Sequence, residues 1–201
     1  MDTLIQLRSA SPYLQRCETP IGRLEVASDG ESITAVAIER NGTLPHDGLA
    51  YDSTAVADEA VAQLLDYFQG YRRRFTVPVT HRGTPFQVAV WQELAAIGWG
   101  EVTTYGAIAA AVGKVGSGRA VGGAIASNPT PLLVGCHRVL SASGRITGYS
   151  WGKGVATKAW LLDHESIGHA PLTSSAPPSS ATGAAPQTSS RSSPVGDTDR
   201  R

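Results

Sequence analysis

At 201 residues, 41% of them hydrophobic, the chain is long enough to bury one large core or two small ones. Seventeen basic residues balance seventeen acidic ones, so the formal net charge is zero; this excludes a highly basic nucleic-acid coat but not a local basic patch. Two cysteines, Cys17 and Cys136, are too few for a disulfide framework or a cysteine-rich zinc site, and the five histidines lack a ligand spacing such as HExxH. No apolar run approaches the ~18 residues of a membrane span, and the first eight residues lack an apolar signal core. The expectation is a cytoplasmic monomer with no metal, no cofactor and no membrane partner.

The first half reads as strands followed by a helix. Tyr13 to Cys17, Arg23 to Ala27 and Ser32 to Ile38 are strand candidates separated by the turn signals Thr19-Pro20-Ile21-Gly22 and Ser28-Asp29-Gly30-Glu31. They form a small antiparallel sheet. After a Gly/Pro-containing loop, Val61, Leu64, Leu65 and Phe68 follow helical spacing, Gly70 ends the helix, and Phe75 to Val79 is a further strand candidate.

The second half reads as helices. Thr84-Pro85-Phe86-Gln87 is a capping box with proline at the first helical position, and Phe86, Val90, Leu94 and Ile97 then line one apolar face. Thr104 caps a short helix carrying Ile108, Ala111 and Val112. Gly113 to Gly116 makes a turn, and Ser117 caps another helix to about Ser127. Helix, short turn and helix over 104–127 have the outline of a helix-turn-helix. The last ~34 residues, from about Gly168, are rich in Ser, Thr, Ala, Pro and Gly and cannot bury enough apolar surface to offset ordering entropy. The expected organisation is α+β: an N-terminal α/β domain over 1–80, a C-terminal helical domain over 81–167, and a disordered tail over 168–201.

Cys136 is the chemically distinctive residue. It lies in Val134-Gly135-Cys136-His137-Arg138-Val139, between an apolar run and the glycine-containing stretch Gly144 to Tyr149. A thiolate is the reactive form of cysteine and a free thiol titrates near pH ~8.5, so an adjacent imidazole suits a nucleophile. Adjacent side chains do not face each other on a regular helix or strand, so coupling of the pair needs a turn or a bridging water; His137 is otherwise a satisfied core histidine. Glu165, at i+4 from Leu161 and i+3 from Leu162, is either the carboxylate that orients the base or an exposed group at a helix end. Arg119-Ala120-Val121-Gly122-Gly123-Ala124 combines one cation with tiny side chains. Two glycines in a helix cost about 1 kcal/mol each relative to alanine. Either a neighbouring helix packs tightly there, or the thin helix enters a nucleic-acid groove with Arg119 reaching inward. Cys17, without a motif, reads as inert packing, and Arg72-Arg73-Arg74 as a solvated helix end.

Taken together, Gly83-Thr84-Pro85-Phe86-Gln87, Val90-Trp91, Thr104-Tyr105, Arg119-Ala120-Val121-Gly122, Asn128-Pro129, Cys136-His137-Arg138-Val139, Thr147-Gly148-Tyr149 and Leu161 to Glu165 resemble the O6-alkylguanine-DNA alkyltransferases. The resemblance implies a ribonuclease H-like N-terminal domain and a C-terminal domain whose helix-turn-helix binds double-stranded DNA in the minor groove. It also implies single-turnover DNA repair, in which Cys136 takes the alkyl group from O6 of a flipped-out guanine. His137 is then the base acting through water, Glu165 orients it, and Asn128 braces the turn carrying the cysteine. Arg119 fills the space of the flipped nucleotide, Tyr105 crowds its phosphate, and Ala120, Gly122 and Gly123 lie against the groove. Tyr149 and Ser150 donate hydrogen bonds to the base, and Val139 and Trp151 complete its pocket. No cofactor follows from this chemistry. Two positions depart from the family's usual pattern: Gly135 stands where proline usually precedes the cysteine, and Trp151 where glycine is common. If the backbone accepts it, proline at 135 is expected to stabilise the fold by roughly 0.4–1 kcal/mol. The rivals are a damage-binding relative that transfers nothing, a cysteine hydrolase that turns over repeatedly, and a regulatory DNA-binding module indifferent to Cys136→Ala.

Overall fold

The computed structural model describes residues 13–49 and 52–172. Strands β1 (Tyr13–Thr19), β2 (Gly22–Ser28) and β3 (Ile33–Ile38) form an antiparallel meander in the order β1-β2-β3. All three expected strands are present. Leu24, Val26, Ile33, Val36 and Ile38 are buried on the sheet and pack with helix α1 (Ala55–Phe68). The buried stripe of α1 is Ala57, Ala60, Leu64, Tyr67 and Phe68, whereas Leu65 is exposed, so the apolar face is rotated from the one that the spacing of Val61, Leu64 and Leu65 suggests. Thr54 caps this helix by accepting from the Ala57 N–H.

Residues 75–79 form no strand. A single parallel bridge joins Ile33 and Val79, with Ile33 N–H donating to the Pro78 carbonyl and Thr80 N–H to the Ile33 carbonyl. Pro78 has no N–H with which to extend a ladder.

The second half contains α2 (Pro85–Ala95), β4 (Thr103–Thr104), α3 (Tyr105–Ala111), α4 (Gly118–Ala126), a 3₁₀ turn at Cys136–Arg138, β5 (Val139–Leu140) and α5 (Val155–His164). The capping box at Thr84 and Gln87 forms, and Thr104 caps α3 through the Ala107 N–H at 3.1 Å. Ser117 stands at the N-cap of α4, but its hydroxyl makes no capping hydrogen bond. Val90, Trp91, Leu94, Ile108, Val121 and Ala124 build a second core, and Trp91 Nε1 donates to the Ala124 carbonyl, tying α2 to α4. β4 and β5 pair in parallel as a two-residue ladder that sequence periodicity does not show.

Two features anchor the cysteine segment to the first half. Val36 N–H of β3 donates to the Pro129 carbonyl at 2.8 Å, and Leu132 is buried in the first core although its φ is +75°. A left-handed leucine is held in place by such surroundings rather than by its own preference. The expected tail lies outside the described residues from 173 onward. Residues 168–172 are described, and Ala170 N–H donates to the Gly144 carbonyl.

Candidate active site

Cys136 is presented by consecutive tight turns. Val134 N–H returns to the Thr130 carbonyl, and Cys136 N–H bonds the Val134 carbonyl at 2.7 Å, two residues back. Gly135, with φ −70° and ψ 52°, is the centre of that inverse γ-turn. Asn128 is fully buried beneath it: its amide N–H donates to the Val134 carbonyl and its amide oxygen accepts from Thr130 N–H. Asn128 thus bonds this turn at two points.

The thiol lies on the wall of a cavity of about 660 Å³, lined among others by Tyr105, Arg119, Gly122, Tyr149, Ser150 and Trp151. Arg119 is exposed at its edge on α4, and Tyr105 accepts a hydrogen bond from Thr147 Oγ1 at 3.1 Å. Gly122 faces the Tyr105 ring, where an added Cβ would lie 3.9 Å from it, and nothing lies within 4 Å of such an atom at Gly123. Tight helix packing therefore does not account for Gly123. Ala120 and Gly123 are exposed on α4 and do not line the cavity.

Val139 corrects an expectation. It is fully buried in the second core and is absent from the cavity wall, because β5 pairing with β4 turns it inward. Its carbonyl instead accepts from Lys158 Nζ at 2.5 Å. Lys158 is 1% exposed, lines the cavity and has no carboxylate partner among the described residues. Burial lowers its ammonium to about 8, with the neighbouring Cys136 opposing that shift. Lys158 carries no sequence motif of its own. The available signal was its position seven residues before Glu165 and three before Leu161, on the same buried stripe of α5.

Behind the cysteine lies a buried ionic network. His137 Nε2 is 2.8 Å from Glu165 Oε1. Arg138 Nε donates to Oε2 at 2.8 Å and Nη2 to Oε1 at 2.9 Å, while its Nη1 holds the Ile97 carbonyl. The Tyr67 hydroxyl donates to Oε1 at 2.8 Å from α1. Glu165 is thus no exposed helix end: it is 1% exposed and accepts four hydrogen bonds. Burial alone would raise its carboxyl, but hydrogen bonds and charge from His137 and Arg138 outweigh that and hold it well below the usual carboxylate range.

An ionised carboxylate only accepts, so the proton of neutral His137 sits on Nε2 and Nδ1 carries the basic lone pair. Nδ1 is buried and has no hydrogen-bond partner among the described residues; the structure does not join it directly to the thiol. Burial keeps the imidazole below its ordinary value, with Glu165 opposing. Burial also raises the Cys136 thiol, while Asn128, Tyr149 and Lys158 favour its ionised form. Tyr149 is pushed upward by burial and by the adjacent Cys136, and its hydroxyl has no well-formed hydrogen bond. Burial thus dominates at the thiol, while Asn128, Tyr149 and the cation of Lys158 pull toward the thiolate.

Gly135 and Trp151 mark the two departures. A Cβ at Gly135 would lie 2.8 Å from an Arg138 guanidinium nitrogen and 2.9 Å from its Cδ. Thus φ at 135 suits proline, but the space beside it is occupied by an arginine fixed to Glu165 and Ile97. Proline at 135 therefore requires Arg138 to shift, which opposes the expected gain. Trp151 borders the cavity and packs against both cores. The following Gly152 has φ +56° and stands where a Cβ would lie 2.6 Å from Thr157 Oγ1, so glycine is required.

Comparison with known proteins identifies the family. Residues 85–167 match the family described as 6-O-methylguanine DNA methyltransferase, DNA binding domain, and residues 13–80 match its ribonuclease-like domain. The chain belongs to the 6-O-methylguanine DNA methyltransferase family. It is 42% identical over 169 residues to a methylated-DNA–protein-cysteine methyltransferase of Mycobacterium leprae, covering 81% of this chain and 96% of that one. It is 38% identical over 161 residues to the constitutive methylated-DNA–protein-cysteine methyltransferase of Bacillus subtilis, covering 78% and 97%. Among solved structures, the Mycobacterium tuberculosis O6-methylguanine methyltransferase superposes with a TM-score of 0.70 at 38% identity, covering 81% of this chain and 98% of that one. A Mycobacterium tuberculosis OGT in complex with DNA superposes with a TM-score of 0.68 at 38% identity, covering 76% and 92%.

Proposed function

We infer that the protein repairs DNA directly, moving the alkyl group of an O6-alkylguanine in duplex DNA onto Cys136. The observation that carries this is the Cys136 thiol on the wall of a cavity bordered by Arg119 on the exposed face of α4, with the His137–Glu165 pair behind it. The helix-turn-helix of α3 and α4 takes the DNA, with Ala120 and Gly123 giving a low-profile surface to the minor groove. Arg119 occupies the space left in the stack and Tyr105 crowds the phosphate as the base rotates into the cavity.

In the cavity, His137 accepts the thiol proton at Nδ1 through a water molecule, and Lys158 favours the thiolate. Sulfur attacks the alkyl carbon: the S–C bond forms as the C–O6 bond breaks, and the departing guanine takes up, through water, a proton equivalent to the one His137 received. Tyr149 and Ser150 donate hydrogen bonds to the base, and Asn128 keeps the Cys136 turn rigid. The thioether has no leaving group that would regenerate the thiol, so each molecule reacts once. The order of the site along the chain supports an N-terminal domain over 1–80 and a reactive, DNA-binding domain over 81–167, in line with the two family matches at 13–80 and 85–167. Two free cysteines suit a reducing cytoplasm.

The test is to weigh the intact protein after mixing with duplex DNA containing O6-methylguanine. One methyl group per molecule, mapped to Cys136 and abolished by Cys136→Ala, is expected. Label on Cys17 or repeated turnover would refute this reading. Cys17 makes a good internal control, since burial and Glu18 push its thiol up to about 11.

A further inference from the structure

We propose that Tyr67, a residue of the N-terminal half, is a positioning residue for alkyl transfer: its hydroxyl fixes Glu165 Oε1 against His137 and sets how strongly that carboxylate pulls on the imidazole. The proposal rests on the reading of Cys136 as nucleophile and His137 as its base.

Three donors meet at Glu165 Oε1: Tyr67 at 2.8 Å, His137 at 2.8 Å and Arg138 at 2.9 Å. A carboxylate oxygen shared among donors is less basic, so each added donor weakens its hold on the others. Tyr67 is the uncharged member of the set. Its burial, followed by the charge of Glu165, raises the phenol far above its ordinary value, so it stays protonated and donates. It is also rigid. The side chain is fully buried, and its ring packs at 5.1–5.5 Å from the rings of Phe68, Phe75, Trp99 and His164. Glu165 Oε1 is therefore located with respect to α1, not only with respect to its own helix.

The charged and titratable groups acting on His137 are Glu165, Arg138 and Lys158. Cys136 and Tyr149 lie on the cavity side, and Tyr67 stands behind Glu165 with His164 against its ring. Among these, Tyr67 is the group whose removal changes the carboxylate without changing a charge. A role confined to satisfying a buried acid would affect stability alone.

The experiment measures the rate of Cys136 methylation by O6-methylguanine duplex across the range in which histidine titrates, for the wild type, Tyr67→Phe, and the protein with 3-fluorotyrosine at 67. Removing the donor leaves Glu165 more basic, the imidazolium better stabilised, and the acid limb of the rate profile higher by roughly 0.5–1 in pH. Fluorotyrosine is nearly the same size and donates more strongly, so its limb moves the opposite way. NMR titration of His137 in the same three proteins, without DNA, gives the same order. One common limb and one common His137 midpoint, with Tyr67→Phe lowering only the melting temperature, would overturn the proposal. A wild type that acquires no methyl group would instead overturn the reading of function, while the NMR order still decides the role of Tyr67 toward Glu165.

Discussion

Lys158 offers a quantitative test of the buried site. The ammonium is 1% exposed, hydrogen-bonded to one carbonyl, and lowered from 10.5 to about 8 by burial. Between these values the folded chain binds fewer protons at this side chain than the unfolded chain. Stability therefore rises with pH through that window: the contribution is complete above 10.5 and is lost as pH falls through about 8. A shift of that size corresponds to about 3 kcal/mol. Methionine has similar length and does not titrate. In a Cys136→Ala background, which removes the nearby thiol from the titration, urea unfolding of the Lys158 and Lys158→Met proteins should be compared at neutral pH and above pH 10. The lysine protein should gain about 3 kcal/mol on the methionine protein over that range. Taking the difference cancels the other titrating groups. It also cancels the Val139 carbonyl that methionine leaves unbonded, because that loss does not depend on pH. Parallel pH curves for the two proteins would refute the reasoning and show that the ammonium keeps its water.

Arg119→Ala should slow repair of duplex far more than reaction with the free base O6-alkylguanine. Arg119 is assigned to the flipped-out state, whose unstacking costs a few kcal/mol; equal losses in paired rate measurements would place its role in the fold or the pocket. Gly135→Ala should destabilise the protein by about 1–3 kcal/mol and slow methyl transfer, because the new methyl displaces an arginine that holds Glu165. Urea midpoints and transfer rates check this, and an unchanged midpoint would show that Arg138 repositions freely.

Much of the fold was legible because its signals are local. Turn residues bound β1, β2 and β3, Thr84 and Gln87 mark the start of α2, and Thr104 that of α3. Each depends on residues within one turn of chain. The expectations that failed depended on neighbours far away in sequence. Phe75 to Val79 alternates like a strand, but Pro78 has no N–H to donate and Val36 of β3 bonds Pro129 instead, so it makes a single bridge. The apolar spacing of α1 fits more than one face, and the sheet chose the one carrying Tyr67. Val139 is expected in the pocket wall from the resemblance, yet it pairs in the β4–β5 ladder and is buried in the core.

The site divides along the same line. Sequence alone nominated the side chains proposed for the chemistry: a cysteine followed by histidine from its motif, and a downstream glutamate, an asparagine before a turn and an arginine on a glycine-rich helix from the resemblance to the alkyltransferases. Only the tertiary structure decided how they are connected. The Glu165 carboxylate meets Tyr67 from 98 positions earlier and Arg138 from 27, Lys158 is drawn to the cavity with a carbonyl for a partner, and Arg138 occupies the space beside Gly135. Proton affinity and side-chain room depend on burial and on every neighbour within a few ångströms, and those neighbours come from segments whose approach no local pattern records.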